Sequence, residues 1–368
     1  MLRRLRQVAL ASVTVVALLG SWLVVQAVVA PGNDSFTARL AESARDDGLG
    51  VLVTALEDAS YRLNPPKVGG TPDSSALGEL PKVTLPSRIT PDAVRVHPAI
   101  APIGPGLSGE GVFRSVVSAG GQPAVQVAYL RPDAQHTSYL AGVVWISHTL
   151  TRVVQHPGAT EPGRLNLWSQ PPSIPTAARA GLAATFNGGF KLADSQGGFY
   201  ADHHTAGTLA PGSASLVVYG DGHVDIGSWG SEVRMTPDVV SVRQNLQLLV
   251  DHGKPAPDLD NSVQSTWGAT VKGALYVWRS GVGVTASGDL VYVAGNALSA
   301  RTLASLLQRA GAVRAMQLDI NQAWVSFMWY SHGGNPAAVA PHKLNEFQRP
   351  ADRYFTDNSR DFFAVYLR

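Results

Sequence analysis

The stretch from Trp278 to Asp319 constrains the fold more than any other part of the chain. It reads as an apolar run, a Ser287-Gly288-Asp289 turn, a second apolar run, an amphipathic segment and a third apolar run. Turn residues between two short runs rich in valine predict a strand–turn–strand unit. Ser299 suits a helix N-cap, Leu303, Leu306, Leu307 and Ala310 recur at helical spacing, and Gly311 suits the stop. The helix then carries the chain to a third strand, Ala312–Leu318, expected to return beside the strand it left. Arg279 stands near one end of this unit and Asp319 at the other. Loops after such strands are favoured places for chemistry, so the two are expected to share a cleft.

The rest of the chain supports a sheet-rich domain. Charged residues are only 15% of the 368, and Gly and Pro together number 61, which argues against a helical bundle. Val112–Val117, Ala124–Leu130, Gly142–Ile146, Leu182–Phe186 and Gly273–Trp278 read as strands. Ala214–Tyr219 and His223–Ile226 flank Gly220-Asp221-Gly222, a strong hairpin signal. The expected class is α+β, a mixed β-sheet with packed helices, preceded by an N-terminal transmembrane helix.

That helix is expected because Val8–Ala30 contains no charge and follows Arg3, Arg4 and Arg6. At ~1.5 Å per residue the run reaches roughly 34 Å, enough to cross a bilayer. The arginines favour an inside N-terminus, giving a single-pass cell-membrane protein with its C-terminal domain outside the cytoplasm. A cleaved signal peptide is the rival reading, since Val28-Val29-Ala30 resembles a cleavage site. Three regions follow: residues 1–30 as arginine-rich tip and anchor, 31–107 as a helix and Pro-rich stalk, and 108–368 as the main domain.

The net charge of +2 resides at the N-terminus. Without Arg3, Arg4 and Arg6 the chain holds 26 basic and 27 acidic residues. That near-balance, with no run of Lys or Arg, excludes nucleic acid as an expected partner. There is no cysteine, so disulfides, thiolate metal sites and a cysteine nucleophile are excluded.

Three segments resemble the phosphodiester glycosidase family. Phe186-Asn187-Gly188-Gly189-Phe190 is similar to that family's Asn-Gly-Gly-aromatic loop. Trp278-Arg279-Ser280-Gly281-Val282-Gly283-Val284 is similar to its Arg-x-x-x-Gly strand. The helix followed by Gly311–Asp319 is similar to its helix–strand–Leu-Asp unit. The likeness spans roughly residues 111–368, with the segments in the family's order. It departs where the family carries glycines and serines after Leu-Asp, since Ile320-Asn321-Gln322-Ala323-Trp324 stands there instead. The resemblance implies hydrolysis of a sugar-1-phosphodiester, with a sugar-phosphate or envelope polysaccharide as substrate and no cofactor.

Each chemical step then has a candidate. A guanidinium stays charged and grips phosphate in a bidentate way, which suits Arg279. A carboxylate can face the positive charge that develops at the anomeric carbon, which suits Asp319. Asn187 would hydrogen-bond substrate, with Gly188 and Gly189 allowing close approach; a tight turn needing positive φ is the alternative. Asp202, His203 and His204 read as an exposed loop, as a second catalytic group with substrate contacts, or as metal ligands, and no metal is expected because their spacing shows no convergent set. Asn321 would supply donors in the altered loop and Trp324 a sugar-stacking face. Lys191, Asp194, Arg243, Asn245 and Asp251 are weaker candidates. Alternation puts Arg243 and Asn245 on one face, expected to meet solvent.

Overall fold

The Ala141–Ile146 strand is buried at every position. Val144 and Ile146 enter one hydrophobic core while Val143 and Trp145 enter another. A strand buried on both faces needs a layer on each side of its sheet. The computed structural model describes residues 2–30, 36–50, 53, 65–85, 96–259, 264–268, 275–332 and 338–368, and the layers within them account for this pattern.

Three sheets make the architecture among the described residues. The largest has nine strands in the order Val83–Leu85, Arg114–Ala119, Gln122–Leu130, Ala141–Ile146, Leu290–Leu298, Val277–Thr285, Ala312–Gln317, Leu248–Asp251 and Lys254–Pro255. Only its first pair is parallel. One five-stranded sheet runs Val224–Ser228, Ala214–Tyr219, Val239–Gln244, Phe199–Ala201 and His204–Ala206. The other runs Val339–Lys343, Phe327–His332, Leu182–Asn187, Phe362–Leu367 and Thr151–His156. The main core lies between the three sheets, where Val125, Ile146, Val282 and Tyr292 meet Phe186, Phe327, Phe363, Leu216 and Ile226. On the far face of the large sheet, Leu303, Leu306 and Leu307 of the Ala300–Arg309 helix cover Val143, Val291 and Ala315.

The expected helix-packed α+β class is corrected to a mostly β architecture. Sheets pack on sheets, and Ala300–Arg309 is the helix that packs into the large sheet's second core. Its ends follow the sequence: Ser299 Oγ accepts the Thr302 amide at 3.0 Å, and Gly311 takes φ +92°. The returning strand pairs with Val277–Thr285 instead of with Leu290–Leu298, the strand it left. The hairpin's first strand therefore sits between the two ends of the crossover.

The expected N-terminal transmembrane helix is likewise corrected. Among the described residues no helix is long and apolar enough to cross a membrane. The Leu2–Val29 helix packs against the Phe36–Ala44 helix, and Trp22 Nε1 donates to Asp47 Oδ2 at 2.9 Å. Most side chains in the first half of that helix lie outside the described residues, as does Gly273 of the expected Gly273–Trp278 strand.

Candidate functional site

Alternation along Val277–Thr285 divides the motif residues between two faces. Ser280 and Val282 point between the sheets, whereas Gly281 lies beneath Leu303 and Leu307 of the helix. Arg279 shares the helix side. Its Nε donates to Leu298 O at 2.9 Å and its Nη1 to Gln317 Oε1 at 2.7 Å. The residue is 3% exposed and braces the strand ends around it.

Ser280 joins the other two segments. Its amide donates to Asp319 O at 2.8 Å, and Asn187 Nδ2 donates to Ser280 Oγ at 3.1 Å. Asn187 is satisfied on every side, because its Oδ1 also accepts from Tyr292 Oη at 3.0 Å and the Ser326 amide at 3.1 Å. The three segments of the resemblance therefore meet, through Ser280, at the junction of the large sheet and the Leu182–Asn187 strand. Burial holds the Tyr292 hydroxyl well above its ordinary pKa, so it stays a donor.

Neither Gly188 nor Gly189 takes positive φ. Their lack of a side chain serves close packing: a Cβ on Gly188 would stand 2.2 Å from Asp361 Oδ2. Asp361 is itself gripped by Arg243 through Nε at 2.9 Å and Nη2 at 3.2 Å. Asn245 ties the same region together, donating to Gln317 O at 2.8 Å and Leu318 O at 2.9 Å. Arg243 and Asn245 are fully buried, which corrects the expectation of a solvent-facing pair. Their polar groups are taken up inside the protein: Arg243 meets Asp361 and Phe190 O, and Asn245 meets the Phe190 amide and the carbonyls of Gln317 and Leu318.

Asp319 is the carboxylate at the centre. Its Oδ1 accepts the amides of Ile320 at 2.8 Å and Asn321 at 2.9 Å, while Oδ2 lies 3.8 Å from Arg360 Nη2. Burial pushes its pKa up to about 6, against the lowering effect of Arg360 and the two amides. Asn321 Oδ1 accepts the Ala323 amide at 2.8 Å and shapes the turn that delivers Trp324. Trp324 is buried, and the guanidiniums of Arg349, Arg353 and Arg360 lie against its ring. These arginines carry no sequence periodicity and were not foreseen. Ser326 connects them to the Asn187 network: its Oγ accepts from Arg353 Nη1 at 3.3 Å and its amide donates to Asn187 Oδ1.

Asp202, His203 and His204 lie elsewhere and are exposed: Asp202 and His203 form the turn after Phe199–Ala201, and His204 opens the paired strand His204–Ala206. Asp202 accepts from the Ser169 amide at 2.7 Å and Ser169 Oγ at 2.8 Å. Asp202 and His203 both take positive φ, at 47° and 63°. Lys191 is ion-paired with Glu42 at 2.8 Å. Among the described residues one group, Glu232, Asp251 and His252, brings possible metal-ligating atoms within 4.8 Å of one another. Glu232 there already accepts from the Ser228 amide and Ser231 Oγ.

Comparison with known proteins gives a weak likeness of fold. No family model and no curated protein matches the chain. Among solved structures, the catalytic domain of zebrafish N-acetylglucosamine-1-phosphodiester alpha-N-acetylglucosaminidase, auto-inhibited by its pro-peptide, is similar at 13% identity and a TM-score of 0.42, over 66% of this chain and 82% of that one. A Synechocystis protein is similar at 11% identity and a TM-score of 0.38, over 68% of this chain and 63% of that one. A Burkholderia pseudomallei protein follows at 11% identity and a TM-score of 0.31, over 62% and 74%.

Proposed function

We propose that this chain hydrolyses a sugar-1-phosphodiester in a glycan or glycoconjugate of the cell envelope. Water adds at the anomeric carbon, the bond from that carbon to the bridging oxygen breaks, and the oxygen leaves on the phosphate. A phosphate departs with its charge already spread, so the site needs a fixed cation more than a strong acid. Asp319 takes the anomeric end, where its carboxylate opposes the developing positive charge.

The observation that carries this reading is the Asp319–Arg360 pair, a carboxylate raised to about 6 and held 3.8 Å from a guanidinium beside a buried indole. Perturbed carboxylates beside fixed cations cluster at catalytic sites. The three-segment resemblance supports it independently. The direct test is release of free reducing sugar from a panel of sugar-1-phosphodiesters. A purified, folded protein that releases none from any of them sinks the hydrolase reading.

A second reading, recognition of the same glycans without turnover, is favoured by one observation. Asp361, the other buried carboxylate near the site, is held by two nitrogens of Arg243 and is in no position to act as a partner to Asp319. Glycan binding that persists in Asp319→Asn, with no turnover by the parent, is the expected signature of that alternative.

A further inference from the structure

Asn187 has no hydrogen-bonding capacity left for a ligand. A side-chain amide offers two donors and two lone pairs. Its donors go to Gly188 O at 2.8 Å and Ser280 Oγ at 3.1 Å. Its oxygen accepts from Tyr292 Oη at 3.0 Å and the Ser326 amide at 3.1 Å. The Tyr292 hydroxyl also reaches Ser326 O at 3.1 Å, so the same two residues brace it from one side. An amide saturated in this way fixes its neighbours and recognises nothing else.

The neighbour it fixes is Ser280. That residue is fully buried, and its hydroxyl has one proton and two lone pairs. The oxygen accepts from Asn187 Nδ2 and, at 3.2 Å, from the Asp319 amide, while the proton reaches Asp319 O at 3.3 Å. Asp319 O also accepts the Ser280 amide at 2.8 Å, and the Leu318 amide donates to Ser280 O at 2.9 Å. The Ala312–Gln317 strand has already ended at this point. Pairing with Val277–Thr285 therefore runs on past the strand end, and at the Asp319 amide the Ser280 side chain takes over from the backbone.

The Asp319 carboxylate depends on that hold. It accepts the amides of Ile320 and Asn321, so its direction follows the turn that its own backbone begins. Fixing the Asp319 amide and carbonyl fixes the start of the turn. Groups that must face a reacting centre are held by such supporting hydrogen bonds, and a shift of about 1 Å can cost about 10²-fold in rate.

We propose that Tyr292, Asn187 and Ser280 form a positioning relay that holds Asp319 by its main chain, with Asn187 acting on the reaction through Ser280 and making no polar contact with substrate. This replaces the substrate contact expected of Asn187. The relay's effect on turnover rests on the hydrolase reading above; its hold on Asp319 is independent of it.

The test uses the full chain with Ser280→Ala, Asn187→Ala and Tyr292→Phe, the last of which deletes one oxygen and keeps the ring. On a sugar-1-phosphodiester that the parent hydrolyses, each variant should lower kcat by about 10–10²-fold and leave KM within about two-fold. Combined with Asp319→Asn, each should add no loss beyond that of Asp319→Asn alone, because the relay acts through that residue. A raised KM with kcat intact in Asn187→Ala makes Asn187 a substrate ligand, and additive losses make the three residues independent of Asp319; either result overturns the proposal.

Amide hydrogen exchange supplies a readout that needs no turnover. The amides of Asp319, Ile320 and Asn321 should exchange at least about ten-fold faster in the variants, while those of the Ala141–Ile146 strand, paired on both edges, keep their parent rates. An equal rise in both regions marks a loss of global stability alone and overturns a positioning role. If Ser280→Ala or Asn187→Ala fails to fold, Tyr292→Phe decides. A fast-exchanging Asp319 amide in the parent overturns the relay whatever the variants do. Loosening confined to residues 319–321 in a protein that hydrolyses no phosphodiester keeps the relay and removes the hydrolase reading; hydrolysis that the variants leave untouched does the reverse.

Discussion

Asp319 and Arg360 face each other across 3.8 Å although they flank strands of different sheets. Asp319 follows the Ala312–Gln317 strand, and Arg360 precedes Phe362–Leu367. The pair therefore exists only when the two sheets are packed. If Asp319 acts at the anomeric centre, Asp319→Asn should lower turnover by about 10²–10⁴-fold while the protein stays folded. Initial rates and near-UV circular dichroism check both halves. Unchanged turnover removes Asp319 from the chemistry.

The pH profile should carry the same signature. If Asp319 works as a carboxylate in the proposed hydrolysis, with its pKa pushed up to about 6, activity should climb as pH rises through about 6 and level off above it. An Asp319→Glu variant with residual activity should move that limb. A flat rate between pH 5 and 7 contradicts the assignment.

Stability should respond with the opposite sign. The folded-state pKa of Asp319 lies above its ordinary value of 3.8. The unfolded chain therefore releases this proton first as pH rises. The contribution is complete below about 4 and is lost as pH climbs towards about 6. Urea midpoints measured across that window should show a falling component in the parent that is absent from Asp319→Asn.

The Arg243–Asp361 pair tests the buried scaffold under the site. Removing one partner leaves the other charge sealed in the interior, so Arg243→Met should cost roughly 3–5 kcal/mol. The double variant Arg243→Met with Asp361→Leu should recover much of that loss. Urea unfolding of the two proteins measures the difference.

Gly188 tests packing at the Asn187 loop. A Cβ there would meet Asp361 Oδ2 at 2.2 Å, so Gly188→Ala should cost about 1–3 kcal/mol through displacement of Asp361. A loss within experimental error would show that the Asp361 segment yields without strain.

Much of the framework was legible from residue pattern. The hairpin around Gly220-Asp221-Gly222 forms between Ala214–Tyr219 and Val224–Ser228, and Ser299 caps the helix. These features are local, and turn chemistry or capping decides them. The α+β expectation failed because the pattern of a buried strand does not say whether a helix or another sheet covers it. Arg243 shows the same limit: its alternation was readable, but not whether its face was wet. The arginines around Trp324 were least accessible. Arg349 lies in an irregular segment, Arg353 in a short 3₁₀ turn and Arg360 beside a strand, so only three-dimensional packing brings them to one ring.

The Val83–Leu85 strand occupies the outer rim of the nine-stranded sheet, in register with Val117, Ser118 and Ala119. Arg114 Nη2 and Trp329 Nε1 reach back to Ala76 O and Pro81 O, stitching the preceding segment to the same rim. A shortened chain starting at Ser108 would leave the Arg114–Ala119 backbone exposed as an open template. Its foreseeable fault is association of one molecule with the next through that bare margin, which the Pro-rich segment otherwise shields.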